Sequence, residues 1–256
     1  MSEPLHGTVA VATGGGSARN TMTPTAERDV RDLLLSGLTV SSGAVDAISF
    51  VALGKVFTAF MTGNIAFLGL RVAGASVAPA ESIFASMGAF AVGVYLSTRI
   101  VMPSQGTCTW PHRVTIALGA SLIPHAAFVV VWLTSNGQPS MHVSNLLLAL
   151  WALAMGIQSA AVRSLHVEGV FTTAATATII LLVGDLANWT VTNVERRRLA
   201  GVLVSLFIGA TAGSLLLMHA RIHAPLLSFV ITAAVVATAA NVFQDAAAVQ
   251  RAAELG

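Results

Sequence analysis

Charged side chains are scarce in this sequence: Asp, Glu, Lys and Arg make up 9% of its 256 residues, against roughly 25% in an average soluble domain. Hydrophobic residues make up 55% of the chain. A soluble fold needs enough polar side chains to cover its surface, and this composition does not supply them. Because lipid tails can face apolar side chains directly, the composition excludes a soluble protein and predicts one embedded in a bilayer.

Other absences narrow the function. The single cysteine, Cys108, cannot form an internal disulfide. No basic stripe interleaved with aromatic residues is present, which argues against nucleic-acid binding. No Ser/His/Asp order, HExxH motif or paired carboxylates stands out, so we expect no enzyme and no cofactor. His219 and His223 are four residues apart but have no third ligand beside them, so we expect no metal site.

The first 30 residues differ from the rest of the chain. They contain Gly14-Gly15-Gly16, several threonines and both charge signs, and they lack the apolar run of a signal peptide. We therefore predict a disordered polar tail over residues 1–30, a transmembrane domain over residues 31–243 and a short C-terminal tail over residues 244–256.

Eight apolar stretches follow the tail. A spanning helix needs about 20 apolar residues to cross ~30 Å of hydrocarbon, and six stretches reach that length. Residues 56–72 and 170–187 are shorter and are interrupted by Thr, Gly or Asn, so each either spans or enters and leaves on one face. The sequence thus predicts an all-α bundle of six to eight membrane segments. The eight stretches are 33–53, 56–72, 82–101, 114–133, 143–162, 170–187, 199–218 and 225–243.

The distribution of basic residues bears on the two short stretches. If all eight stretches cross and the N-terminus is cytoplasmic, eight basic residues lie inside and five outside. If the two short stretches return to their own side, ten lie inside and three outside. Basic residues collect on the cytoplasmic side of membrane proteins. The count therefore favours two re-entrant stretches and a cytoplasmic N-terminus.

The two halves of the chain, about residues 33–133 and 143–243, resemble each other. Val56-Phe57-Thr58 recurs 114 residues later as Val170-Phe171-Thr172, and Gly43 matches Gly156 at a spacing of 113. The repeat pairs the two short stretches, and short interrupted segments at matching positions are typical of transporter binding sites. We predict two related halves, inverted if each contains three spans and parallel if each contains four.

Asp46 lies inside the first apolar stretch, where an Asp near the helix centre costs about 2.5–3.5 kcal/mol on insertion scales. Thr39 and Ser42 share its helical face, so we expect Asp46 to face a polar interior. Two interpretations remain open: a bond that holds the bundle together, or a group on a solute or proton pathway. Arg163, near the end of the fifth stretch, is a candidate ion-pair partner.

A family resemblance rests on two motifs. Residues 43–50 (Gly-Ala-Val-Asp-Ala-Ile-Ser-Phe), with Leu53-Gly54, Val56-Phe57 and residues 61–64 (Met-Thr-Gly-Asn), resemble the YoaK-like family of bacterial integral membrane proteins, a domain of unknown function. Residues 154–160 and the threonines that follow resemble its second motif. The resemblance covers about residues 30–243, with departures at Ser159 and Ala177, where the family generally has Asn and Gly. It implies the bacterial cytoplasmic membrane and supplies no substrate.

We expect a multi-pass transporter or permease for a small solute, with a polar site between the two halves. The alternative is a membrane scaffold or sensor that transports nothing. The expected partners are the lipid bilayer and an unknown small solute, and self-association into a homo-oligomer stays open. The candidate solute-binding residues are Asp46, Thr62, Gly63, Asn64, Gln158, Thr172 and Thr176.

Overall fold

A computed structural model describes residues 23–102, 109–167, 175–188 and 193–254, without the side chains of residues 186–188, 193 and 244–254. Within these ranges the chain forms eight α-helices and no strand, which confirms the all-α prediction. A 3₁₀ turn, Arg221–His223, precedes the last helix. The helices are α1 Pro24–Ala52, α2 Met61–Val72, α3 Ala80–Val101, α4 His112–Thr134, α5 Met141–Arg163, α6 Ala175–Asn188, α7 Asn193–His219 and α8 Leu226–Glu254.

Six helices of the described ranges are long and apolar enough to cross a membrane, namely α1, α3, α4, α5, α7 and α8. This confirms the six long membrane segments. The other two are short: α2 has 12 residues and α6 has 14. At 1.5 Å per residue they extend about 18 Å and 21 Å, well below the ~30 Å of the hydrocarbon core.

The ends of α1 follow from local sequence. Thr23 caps its first turn by accepting a hydrogen bond from the Ala26 amide at 3.3 Å, and Pro24 suits the first helical position. The helix therefore begins inside the segment that was predicted as a tail, and residues 24–30 belong to α1. Gly54 (φ 99°) and Lys55 (φ 60°) turn the chain in the left-handed region just after its end. Similarly, α8 continues to Glu254, into the predicted C-terminal tail.

Two pairs of helices pack closely with parallel directions. Gly209 of α7 lies against Val40 of α1, and Gly213 lies against Ala44, so a step of four residues on one helix matches four on the other. Small residues allow this close approach of backbones in membrane helices.

The second parallel pair is α3 and α5. Ser82 donates to Asn145 at 2.6 Å, and Gly93 lies against the backbone of Gly156, eleven residues further along each helix. Both pairs therefore keep one register along their length.

The remaining pairs of long helices are antiparallel. Ser41 of α1 bonds Thr232 of α8 at 3.1 Å, while Gly37, earlier in α1, lies against Val235, later in α8. The ring of Trp110, before α4, stacks on Phe243, late in α8, and Gly119 lies near Val236. The short connection over residues 135–140 makes α4 and α5 an antiparallel hairpin. Together, these contacts fix the relative directions of all six long helices.

The helix directions show where the short helices return. Helices α1 and α4 are both antiparallel to α8, so they run in the same direction. Because α5 is antiparallel to α4 and α3 is parallel to α5, α3 runs in the direction opposite to α1. The connection through α2 therefore begins and ends on one face of the bundle, and the same reasoning applies to α6 between α5 and α7. The short helix α6 lies on the face where α1 begins, called here the N-terminal face, and α2 lies on the opposite face. Neither short helix crosses the bundle.

Helix α5 packs between α3 and α4, and we call these three helices the first body. Helix α1 packs between α7 and α8, and we call these the second body, although α8 packs against α4 as extensively as against α1. The bodies meet where α4 faces α8 and where α1 faces α5. Helices from both sequence halves occur in each body, and the prediction of two related halves is not confirmed.

Candidate functional site

The loop over residues 53–60 folds back against α1. The amides of Thr58 and Ala59 both donate to Asp46 Oδ1 at 2.8 Å. Asp46 lies six residues before the end of α1, which corresponds to about 9 Å along the helix axis. The 53–60 loop therefore brings non-helical backbone into the bundle to the depth of Asp46.

Asp46 satisfies backbone groups that would otherwise be unpaired in this loop. The Thr58 hydroxyl adds a third hydrogen bond to the same oxygen at 3.3 Å. Non-helical backbone is tolerated at membrane depth only where protein or a water-filled cavity replaces its hydrogen bonds. The half-buried carboxylate of Asp46 supplies this replacement.

Asn64, the last residue of the Met-Thr-Gly-Asn motif, binds the same loop from α2. Its Oδ1 accepts from the Phe57 amide at 3.0 Å, and its Nδ2 donates to the Phe57 carbonyl at 2.7 Å. Ser86 of α3 donates to that carbonyl as well, at 2.7 Å. A carboxamide presents an acceptor and a donor side by side, which neither Asp nor Leu does. This explains Asn at position 64.

Gly63 makes room for aromatic rings. A Cβ at this position would lie 2.7 Å from Phe60 Cδ1 and 3.0 Å from Phe57 Cδ2. The Phe57 ring also stacks on Phe50, with 4.9 Å between centroids, and on Phe67, at 5.9 Å. Gly63 therefore permits the ring cluster that covers the loop.

The predicted site residues do not form one site. Asp46 and Asn64 meet at the 53–60 loop, whereas buried Gln158 donates to the Leu38 carbonyl at 3.2 Å. Leu38 precedes Asp46 by eight residues, about 12 Å along α1. The three predicted threonines do not join either group. Thr62 and Thr176 are exposed, and Thr172 lies outside the described residues. A solute-binding role for these seven residues stays a prediction.

The predicted ion pair between Asp46 and Arg163 is not formed. Arg163 is exposed at the end of α5, and the salt bridges found among the described residues join other groups. Since α1 and α5 are antiparallel and Gln158 lies beside Leu38, the two charged residues lie about 13 helical positions, or ~20 Å, apart along the axis. The positions of Asp46 and Arg163 on the faces of their helices did not indicate that α1 and α5 are antiparallel.

A polar layer crosses the middle of the bundle. The apolar core consists of two clusters, one towards each face: on α1 they contain Leu34 to Leu38 and Val45 to Leu53, and on α4 Val114 to Leu118 and Phe128 to Trp132. Between them the four helices at the interface of the bodies carry buried polar residues. We call these the polar layer: Ser41, Ser42, Ser121, His125, Gln158, Ser228 and Thr232.

Part of the polar layer is internally hydrogen-bonded. Besides the contact between Ser41 and Thr232, the Ser228 hydroxyl donates to the Ser41 carbonyl at 3.3 Å. His125 Nδ1 lies 2.9 Å from the Ser121 carbonyl oxygen. These bonds join α1 to α8 and fix the imidazole on α4.

Other atoms of the polar layer have no partner within the described part of the chain. They are Ser42 Oγ, His125 Nε2 and Gln158 Oε1. On α5, Trp151 Nε1, two helical turns before Gln158, has no partner either. Each of these residues is at most 1% exposed. A buried polar atom without a hydrogen bond costs about 1–3 kcal/mol. Packing alone does not account for retaining several of them in one interface. The hydroxyl of Ser97 on α3 is a further such atom.

A model of the family described as "Protein of unknown function (DUF1275)" matches residues 34–238, most of the transmembrane domain. The chain belongs to the DUF1275 family. It is also 35% identical over 159 residues to "UPF0700 transmembrane protein YoaK" of Bacillus subtilis (strain 168), which covers 62% of this chain and 68% of that protein. The resemblance to YoaK-like proteins is thereby confirmed. No solved structure matches the chain.

In this DUF1275 protein the sequence interpretation singled out Gln158 and missed the other residues of the polar layer as binding candidates. One signal was present: His125 is the only ionisable residue in the apolar stretch 114–133, and such a residue inside a membrane segment usually has a function. The contact between Ser41 and Thr232 had no such signal, because it depends on which helices are neighbours. The described residues contain no group of three His, Cys, Asp or Glu residues that could hold a metal ion.

Proposed function

We propose that this DUF1275 protein is a transporter or permease for a small solute, which passes between the two bodies. The observation that supports this most strongly is the polar layer, halfway along the helices, in which buried hydrogen-bonding atoms lack partners among the described residues. Transporters bind their substrates near the bilayer midplane between moving units. No chemical step is part of this proposal.

The connections between the bodies suit an alternating motion. The chain passes between the two bodies twice, through the connection with α2 on the opposite face and through the connection with α6 on the N-terminal face. Each body is packed tightly inside by glycine contacts, as between Gly93 and Gly156. Rocking of one body against the other would open the polar layer to one face and then to the other.

An inverted repeat of the two sequence halves agrees with this mechanism. Each half then contributes three spans in opposite orientation. The glycine contacts support it, because equivalent glycines 113 positions apart touch equivalent backbone positions 116 apart. The contacts are Gly43 with Leu206 and Ala210, and Gly156 with Phe90 and Val94.

The predicted site residues take two roles in this proposal. Gln158 lies in the polar layer and contacts the solute, whereas Asp46 and Asn64 hold the 53–60 loop on the opposite face.

Asp185 of α6 forms a salt bridge with Arg196 of α7 at 2.7 Å on the N-terminal face. We place the protein in the bacterial cytoplasmic membrane with a cytoplasmic N-terminus, since the N-terminal face has nine of the twelve basic residues in the described ranges.

Alternating access is tested by thiol labelling from both sides of the membrane. In a Cys108→Ser background, a single cysteine replaces Ser42, and a membrane-impermeant thiol reagent is added to right-side-out and to inverted vesicles. We expect labelling from both sides. Ala44→Cys is the matched control, because Ala44 is equally buried but packs against Gly213 of α7, and it should stay unlabelled.

Failure of both vesicle preparations to label position 42 would contradict transport and favour a scaffold or sensor. Purified protein in liposomes provides the second measurement. A transporter accelerates equilibration of at least one solute of a broad panel over empty liposomes, and a scaffold accelerates none.

A further inference from the structure

We propose that the solute is a small neutral molecule with both hydrogen-bond donors and acceptors, of the amide or polyol class, bound by the unpaired atoms at the polar layer. This rests on the proposed transport function and specifies its substrate. The binding atoms are Ser42 Oγ, His125 Nε2, Trp151 Nε1 and Gln158 Oε1.

The groups on α4 and α5 are neighbours through an aromatic stack. The Phe128 ring of α4 lies 3.5 Å from the Trp151 ring of α5, measured between centroids, and the planes are 5° apart. His125 precedes Phe128 by three residues and therefore lies one turn away on the same face. Gln158 follows Trp151 by seven residues, which is two turns along one face of α5.

The group on α1 adjoins them through Gln158. Its amide nitrogen bonds the Leu38 carbonyl, and Ser42 lies one helical turn beyond Leu38 on the same face. Three helices from both bodies therefore present unpaired polar atoms to the same interface.

The hydrogen bonds that are formed determine which atoms donate. The Ser121 carbonyl oxygen is an acceptor only, so the proton of a neutral His125 is on Nδ1 and its Nε2 is a free acceptor. The Leu38 carbonyl likewise faces the NH₂ group of Gln158, which leaves Oε1 as an acceptor. The Trp151 indole only donates, and the Ser42 hydroxyl does either. A complementary ligand offers donors and at least one acceptor.

Charge excludes an ionic ligand here. The apolar stretches of the interface helices, residues 33–53, 114–133, 143–162 and 225–243, contain one charged residue, Asp46. Its Oδ1 accepts three hydrogen bonds from the 53–60 loop. An ion at the polar layer would leave water without an opposite charge beside it, which is strongly unfavourable. A neutral ligand avoids this cost.

Urea and guanidinium test the proposal, because they have the same planar shape, whereas guanidinium is charged and has no hydrogen-bond acceptor. Uptake into proteoliposomes is followed by stopped-flow light scattering at equal, sub-denaturing concentrations, with empty liposomes as background. We expect urea uptake above background and guanidinium uptake at background. Guanidinium uptake equal to that of urea would overturn the neutral class.

The variant Trp151→Phe removes the indole N–H and keeps an aromatic ring against Phe128. We expect it to lower urea uptake about tenfold, the effect of one hydrogen bond. Gln158→Met is the second variant and should act in the same direction. Trp110→Phe is the matched control: its indole N–H is paired with Thr115 at 2.9 Å, so uptake should not change.

A binding measurement separates this proposal from the proposed function. The difference in fluorescence emission between the wild-type protein and Trp151→Phe reports on the Trp151 indole. We expect urea to shift it to longer wavelength. A shift without uptake supports the site and contradicts transport. If urea causes no shift and Trp151→Phe takes up urea as fast as the wild-type protein, the site is overturned and transport stands. The absence of both overturns the site, and the solute panel in liposomes then decides whether transport stands.

Discussion

Replacement of Asp46 measures how strongly the 53–60 loop depends on one carboxylate. Asp46→Ala leaves the amides of Thr58 and Ala59 without their acceptor, and each lies 2.8 Å from it in the native protein. Asp46→Asn keeps an oxygen at the same place and removes the charge. Comparison of the two variants separates the hydrogen bonds from their charge.

The expected magnitudes follow from the number of bonds. A buried amide without a partner costs about 1–3 kcal/mol, so two of them predict that Asp46→Ala lowers the free energy of unfolding by about 2–6 kcal/mol. Hydrogen bonds to a charged acceptor are roughly twice as strong as neutral ones, a difference of about 1 kcal/mol per bond. Asp46→Asn should therefore cost about 2 kcal/mol and fall between the wild type and the alanine variant.

The assay is unfolding with dodecyl sulfate in dodecyl maltoside micelles, followed by circular dichroism. Asp29→Ala is the control, because Asp29 is exposed on the same helix and its replacement should change the free energy of unfolding by less than about 0.5 kcal/mol. A cost below about 1 kcal/mol for Asp46→Ala would refute the assignment. So would an Asn variant as unstable as the Ala variant, because the acceptor oxygen would then contribute nothing.

Two further predictions use the same unfolding assay. Gly93→Ala should destabilise the protein by about 1–3 kcal/mol, because the added methyl group would overlap the Leu153 carbonyl of α5. Gly88→Ala on the same helix meets nothing within 4 Å and should be neutral or slightly stabilising. Equal effects of the two changes would contradict the close contact of α3 and α5. Asp46→Ala combined with Arg163→Ala should equal the sum of the single changes within about 0.5 kcal/mol, since the two residues do not touch; a coupling energy above 1 kcal/mol would restore the ion pair.

The sequence predicted the membrane class and the six long helices reliably, because hydrophobic length is a local property. It also identified the residues that matter around α2. Asp46, Gly63 and Asn64 are costly or unusual in an apolar context, and each has a specific role at the 53–60 loop. The sequence did not reveal these roles, because the groups that the three residues contact belong to a loop whose path depends on the left-handed turn at Gly54 and Lys55.

Composition and periodicity by themselves determined that this chain enters a bilayer, which segments are long enough to cross it, and that positions 56–72 and 170–187 are different. Only the tertiary structure decided the directions of the helices, the failure of Asp46 to reach Arg163 and the convergence of Ser42, His125 and Gln158 between two bodies. The physical reason is that burial in lipid acts on each segment separately. The pairing of polar groups in the interior depends on which helices are neighbours and on their register.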